Sequence, residues 1–145
     1  MRVDVRWKEK MQFKARAEGS GGEIFIDGGG EPGEEVLGPR PMEVMLMSVG
    51  GCTGIDILSI LRKMRLEFSE FWIEIEAQRA SDHPKVFTEI TLFYRIKGDN
   101  IAPEAMERAI RLSQEKYCSA SQSLKAPIRF RYEINGVVYE PQGGR

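Results

Sequence analysis

Polar and apolar residues alternate along the first third of the chain, and a period of two marks strands. Val3, Val5 and Trp7 fall on one face of the segment Arg2 to Lys8, opposite Arg2, Asp4 and Arg6. That pattern predicts a half-buried strand. Phe13, Ala15 and Ala17 alternate with Lys14 and Arg16 over Gln12 to Ala17, and the short link from Lys8 to Met11 predicts that the two strands pair antiparallel. Gly19 to Gly22 reads as a turn and Glu23 to Asp27 as a third short strand, so residues 1–27 form a meander. Residues 28–40 change character. Gly28 to Pro41 holds five glycines and three prolines. It reads as a surface loop, because the segment before it is too short to fold alone.

The period then lengthens. Pro41 suits the first turn of a helix, and Glu43 sits where a carboxylate favours the helix dipole. A helix is predicted over residues 41–65. Between Val44 and Leu61 its only charge is Asp56, and a helix apolar nearly all round is a buried one. Gly50, Gly51 and Gly54 cost about 1 kcal/mol each against Ala in a helix interior. Either the helix breaks near Gly50-Gly51, or another part of the backbone approaches closely there.

Period two returns at Phe71, Ile73, Ile75 and Ala77, and again from Val86 to Ile96. The turn Ser81-Asp82-His83-Pro84 joins these into a hairpin, residues 71–97. Pro103 opens a second helix to about Lys116, with Met106, Ala109, Ile110 and Leu112 as its apolar stripe. The serines beside Cys118 read as the cap of a further short helix, Ser119 to Leu124, so residues 103–124 are a helical stretch with Cys118 at its junction. Ile128 to Ile134 alternates once more, and Asn135-Gly136 is a hairpin turn into Val137 to Glu140, giving a C-terminal hairpin over residues 128–140. Strands, buried helix, strands, helix and strands in that order predict an α+β fold with antiparallel sheet, in a single domain spanning residues 1–145.

Composition narrows the function classes. The 145 residues carry 21 Lys plus Arg and 22 Asp plus Glu, a net charge of -1. So even a balance argues against a nucleic-acid partner. Two cysteines and one histidine exclude a disulfide scaffold and a zinc site built from Cys and His ligands. The N-terminal residues show no apolar signal region, and the charge-free run Val44 to Ile55 is too short to span a bilayer. A cytoplasmic protein without membrane association is expected, with both cysteines as thiols.

Few residues can carry chemistry. Cys52 lies in the most apolar part of the chain, where the ordinary reading is a buried structural thiol. A nucleophilic role needs a lowered pKa, which a helix start or an arginine supplies. Cys118 lies at a helix junction between Tyr117 and Ser119. Both cysteines at helix junctions point to a redox pair, although their spacing is no motif. His83 reads as a solvated turn residue. Gly28-Gly29-Gly30 lacks the Gly-Lys-Ser/Thr pattern of a phosphate cradle. Lys125, Arg129 and Arg131 read as a solvated face, and Met42, Met45 and Met47 as core or interface packing. No cofactor and no metal are expected.

Two of these segments resemble a known family. Gly38-Pro39-Arg40-Pro41-Met42-Glu43-Val44-Met45-Leu46, followed by Gly50-Gly51-Cys52-Thr53-Gly54, resembles the first cysteine motif of the OsmC family, the osmotically inducible and organic hydroperoxide resistance proteins. Tyr117-Cys118-Ser119-Ala120-Ser121-Gln122-Ser123-Leu124 resembles its resolving-cysteine motif. The Gly-Gly-Cys-Thr-Gly form is most similar to the less characterised OsmC-like branch. The resemblance implies antiparallel sheets wrapped around two central helices in an intertwined homodimer. It implies a peroxidase of organic hydroperoxides, with Cys52 peroxidatic, Cys118 resolving, and a dithiol or thioredoxin-like reductant. The family places a carboxylate directly after the proline of its first motif, paired with an activating arginine. Here that position is Met42, and Glu43 comes one residue later, turned about 100° around the helix. Arg40 is the nearest candidate arginine, with Arg16 and Arg6 on the early strands. The alternative is a dimeric binding protein for a hydrophobic small molecule, its cysteines non-catalytic or sensing, for which the Met42 to Met47 stretch is suited.

Overall fold

The computed structural model describes residues 1–141. Two compact units divide the chain, one of residues 1–47 and one from residue 48 onward. Together they hold two sheets and three helices in a mixed α+β structure.

In the first unit β1 (Val3–Glu9), β2 (Gln12–Ala17) and β3 (Glu23–Asp27) form the expected antiparallel meander, in the order β1-β2-β3. Val5 faces Ala15 and Phe13 faces Ile26 across the ladder. The expected half-burial of β1 fails. All seven of its residues are exposed, Trp7 at 65%. The alternation of Val3, Val5 and Trp7 therefore marks an apolar face that this single chain leaves open. The loop after β3 is fastened by Asp27, which is buried. Its carboxylate accepts from Gly29 N at 2.8 Å and Leu37 N at 3.1 Å. These backbone donors hold its carboxyl below the usual range despite desolvation.

Helix α1 (Pro41–Lys63) runs without a break, and close approach explains Gly50 and Gly54, whereas Gly51 has open space where its side chain would be. A Cβ at Gly50 would lie 2.9 Å from Ile75 Cδ1, and one at Gly54 would lie 3.4 Å from Ile73 Cδ1. The missing side chains let the next sheet lie against the helix. Val49, Thr53, Gly54, Ile57 and Leu61 are its buried residues, while Met45, Met47 and Ile55 are exposed. By length and composition alone α1 could cross a membrane, because a window spanning the lone Asp56 is longer than the charge-free run. Val49, Ile57 and Leu61 on it are core residues.

The second unit adds β4 (Glu70–Arg79) and β5 (Phe87–Lys97), then α2 (Pro103–Leu112), a π turn (Ser113–Tyr117), α3 (Ser119–Gln122), β6 (Ile128–Ile134) and β7 (Val137–Tyr139). Its sheet runs β4-β5-β6-β7. The hairpins are antiparallel as expected, but β5 and β6 are parallel, with Tyr94 opposite Tyr132 and Ile96 opposite Ile134. The expectation of an antiparallel sheet is corrected here, for a physical reason. The α2–α3 segment is a crossover, which carries the chain back to the end of the sheet where β5 began, so the next strand runs parallel. Central strand β5 buries Ile90, Leu92, Tyr94 and Ile96 on one face, while Phe93 on the other lies beneath Arg95 and Arg131. Asn135 at φ 49° and Gly136 at φ 85° make the predicted two-residue hairpin turn.

Candidate functional site

Cys52 and Cys118 are far apart in sequence and meet in the second unit. Their Sγ atoms and a carboxylate oxygen of Asp56 all lie within 4.8 Å of one another. Cys52 and Asp56 are one turn apart on α1 and share a face. Both are partly exposed, whereas Cys118 is buried.

Cys118 is delivered by a backbone irregularity. The helix predicted to run to Lys116 stops being α-helical at Leu112, and a π turn occupies Ser113–Tyr117. Cys118 N donates to Ser113 O at 2.7 Å, a five-residue reach that closes the turn. Such turns recur at functional sites because the extra residue re-aims the chain beyond it. Here the chain goes extended at Cys118, which becomes the N-cap of α3. Its Sγ accepts from Ser121 Oγ at 3.1 Å and from Ser121 N at 3.4 Å. The cap is thus Cys118 itself and not a serine. Burial pushes the Cys118 thiol up, the two Ser121 donors pull it back, and the Cys52 sulfur pushes it up again.

A buried polar lattice sits directly behind the sulfurs. Thr53 Oγ1 bonds the Tyr94 hydroxyl at 2.9 Å and the Ser113 hydroxyl at 2.8 Å. Gln114 Nε2 donates to Thr53 Oγ1 at 3.0 Å and to the Tyr94 hydroxyl oxygen at 2.8 Å. Ser113 Oγ donates to Asp56 Oδ2 at 3.0 Å. Thr53, Tyr94 and Ser113 are fully buried, where unpaired polar groups are costly. The lattice ties α1, β5 and the π turn together and ends on Asp56, the one charge of α1 between Val44 and Leu61. Burial drives the Tyr94 hydroxyl far above its ordinary pKa, so it stays a neutral partner. Gln114, Ser121 and Gln122 also line an open cleft of about 770 Å³, together with Arg111, Phe130 and Arg131.

Arg40 and Glu43, the other sequence candidates, meet at the start of α1. Glu43 Oε2 accepts from Arg40 N at 2.8 Å, a carboxylate reaching back over the first turn of its own helix. The Arg40 guanidinium lies beside Gly29 and contributes to lowering Asp27. Arg6 pairs with Asp4, and Arg16 faces that same aspartate across the ladder. All of these belong to the first unit. His83 is exposed in its turn. Arg129 pairs with Glu89, and Arg131 lies 4.3 Å from the Phe93 ring centroid.

Sequence reasoning missed Asp56, Thr53, Tyr94, Ser113, Gln114 and Ser121. One signal was available for Asp56. A lone carboxylate in an otherwise apolar helix must find a partner, and it stands four residues after Cys52.

An apolar helix and a π-turn junction that bring two thiols together on a two-sheet α+β frame define a dithiol protein. Comparison then gives the family. The OsmC-like protein family model matches residues 30–133. Protein YhfA of Escherichia coli K12 is 35% identical over 136 residues, covering 92% of this chain and 98% of that protein. A hypothetical protein of Aquifex aeolicus, solved by crystallography, superposes with a TM-score of 0.81 at 29% identity, over 92% of this chain and 95% of that one. An organic hydroperoxide resistance protein OsmC of Legionella pneumophila shares the fold at a TM-score of 0.63 and 11% identity, over 92% and 96%. The chain belongs to the OsmC-like family.

Proposed function

We propose that the protein is a thiol peroxidase of organic hydroperoxides, acting in oxidative-stress defence through the Cys52–Cys118 pair. One observation carries this reading: two sulfurs distant in sequence stand within 4.8 Å of each other. The Cys52 thiolate, the more accessible of the two, attacks the hydroperoxide. Its sulfur gains oxygen as a sulfenic acid, the O–O bond breaks, and the alkoxide leaves as alcohol after taking a proton. The Cys118 sulfur then attacks the sulfenic sulfur, forming a disulfide and releasing water. A dithiol or thioredoxin-like reductant returns both thiols. The hydroperoxide resistance named for the Legionella neighbour supports the substrate class. Glu43 accepts from Arg40 N and so helps start the helix that carries Cys52.

The same proposal includes a homodimer. Val3, Val5 and Trp7 on β1, with Met45, Met47 and Ile55 on α1, are exposed apolar side chains of a single chain. Large exposed apolar patches mark interaction surfaces, and an intertwined homodimer would cover these side chains.

The test is titration of the fully reduced protein with cumene hydroperoxide, then intact mass and peptide mapping. A fast loss of two hydrogens mapping to Cys52 and Cys118, abolished by Cys52→Ser, is expected. Thiols that stay reduced under stoichiometric hydroperoxide would refute the peroxidase. Light scattering on the same sample reads the dimer, and a monomer mass would refute it.

A further inference from the structure

The cluster at the heart of the site contains a third group that thiol redox chemistry does not use. Asp56 presents a carboxylate to two sulfurs. A carboxylate has room for a donor on each oxygen. Among the described residues only Oδ2 receives one, from Ser113 Oγ at 3.0 Å. Two thiols and one carboxylate are also the donor types that borderline divalent cations select.

We infer that the reduced protein holds one zinc-class divalent cation on Cys52 Sγ, Asp56 and Cys118 Sγ. Three features of the chain support it. The first is spacing: Cys52 and Asp56 are four residues apart on α1, the separation that lets two ligands of one helix meet a single ion. The second is reach. Tetrahedral zinc with sulfur at about 2.3 Å and oxygen at about 2.1 Å sets ligand atoms roughly 3.6–3.8 Å apart. The present separations of at most 4.8 Å close to that by side-chain rotation. The third is what stands behind the ligands. Ser113 orients the carboxylate, and Ser121 gives the Cys118 sulfur two donors, the kind of outer support that fixes metal ligands. Counting cysteines and histidines excludes zinc only on that ligand set, and the Asp56 carboxylate completes a different one.

Three protein ligands leave the fourth position open, as in metal centres that bind a further molecule. Binding requires only that both thiols be reduced and that each lose its proton to solvent. It does not depend on the peroxidase reading, and either can fail alone.

The experiment uses the full chain, reduced and stripped of metal, titrated with Zn²⁺ against a chromophoric chelator. Native mass spectrometry gives the stoichiometry. One Zn²⁺ per chain is expected, weakened at least tenfold by Asp56→Asn and at least a hundredfold by Cys52→Ser or Cys118→Ser. Glu67→Gln, on an exposed residue, should bind as the parent does. Co²⁺ supplies a readout that needs no variant. The parent protein should develop a thiolate-to-cobalt charge-transfer band and the visible bands of a tetrahedral ion, both lost on thiol alkylation. Substoichiometric Zn²⁺, equal affinity in folded Asp56→Asn, or an octahedral Co²⁺ spectrum would overturn the site.

Discussion

Thr53→Val is the sharpest probe of the lattice behind the sulfurs. The substitution keeps volume and shape and replaces one hydroxyl by a methyl. Thr53 Oγ1 makes three hydrogen bonds, to Tyr94, Ser113 and Gln114. Its loss orphans one group, the buried Tyr94 O–H, because the partner Tyr94 keeps, Gln114 Nε2 at 2.8 Å, is itself a donor. Ser113 still donates to Asp56 at 3.0 Å. The cost is therefore at least the net value of three bonds, about 1 kcal/mol each and more for the unsatisfied Tyr94 donor, less the roughly 0.8 kcal/mol that a buried methyl returns. Thr53→Val should destabilise by at least about 2 kcal/mol. Thr53→Ser keeps the hydroxyl and deletes the methyl, for about 1 kcal/mol. Urea unfolding of the reduced proteins separates them, because about 2 kcal/mol moves the midpoint by roughly 1 M at an ordinary slope. The lattice also holds the π turn that presents Cys118, so hydroperoxide-driven disulfide formation should slow in Thr53→Val and not in Thr53→Ser. If Thr53→Val unfolds no earlier than Thr53→Ser, the lattice does not carry the load assigned to it.

Other parts of the chain carry three further expected outcomes. In Cys118→Ser the Cys52 sulfenic acid has no resolving partner, so it should persist after one equivalent of hydroperoxide and be trapped by dimedone; trapping at parent levels would refute the pairing. Glu43→Gln keeps an acceptor for Arg40 N and should leave both stability and Cys52 oxidation near parent values, whereas Glu43→Ala should cost less than about 1.5 kcal/mol and also leave the thiol rate unchanged; a large rate loss in Glu43→Gln would mean that the charge itself activates Cys52. Asp27 has a folded pKa below its unfolded value of about 3.9, so its ionised form stabilises the fold above that value and the effect is lost as pH falls through the folded pKa. Denaturation at pH 7 and pH 3 should then show Asp27→Asn clearly weaker than the parent at pH 7 and closer to it at pH 3, and an equal gap at both would show that the backbone donors do not favour the charge.

The legible parts of this chain were those in which one periodicity governs a whole segment. The three-strand meander, α1 and both hairpins lie close to where alternation and turn chemistry put them, since period and turn residues are local properties. What alternation could not report was the partner of each face. Val3, Val5 and Trp7 have a half-buried-strand pattern and are exposed in the single chain, because alternation segregates an apolar face without fixing whether this chain covers it. The parallel pairing of β5 with β6 was illegible for a related reason. It depends on where the α2–α3 crossover returns, a property of the path and not of either strand.

The site divides in the same way. The two cysteines were visible through their motifs, but the device that joins them is a backbone fault, the π turn at Ser113–Tyr117. Nothing in the helical stripe of Met106, Ala109 and Ile110 announces its end, because the five-residue turn is held by tertiary bonds from Ser113 and Gln114 to α1 and β5. Those bonds join residues that are far apart in sequence. Asp56 is the instructive residue. Along the sequence it is the single blemish of an apolar helix, yet a charge kept in such a stretch implies a specific partner, since an unpaired one would cost several kcal/mol. Its hydrogen-bond partner proves to be a buried serine on the π turn, with the two sulfurs within 4.8 Å. The carboxylate is where a family motif and an electrostatic rule converge. The motif accounts for Cys52 and Cys118, and the rule accounts for the group that stands between them and the lattice.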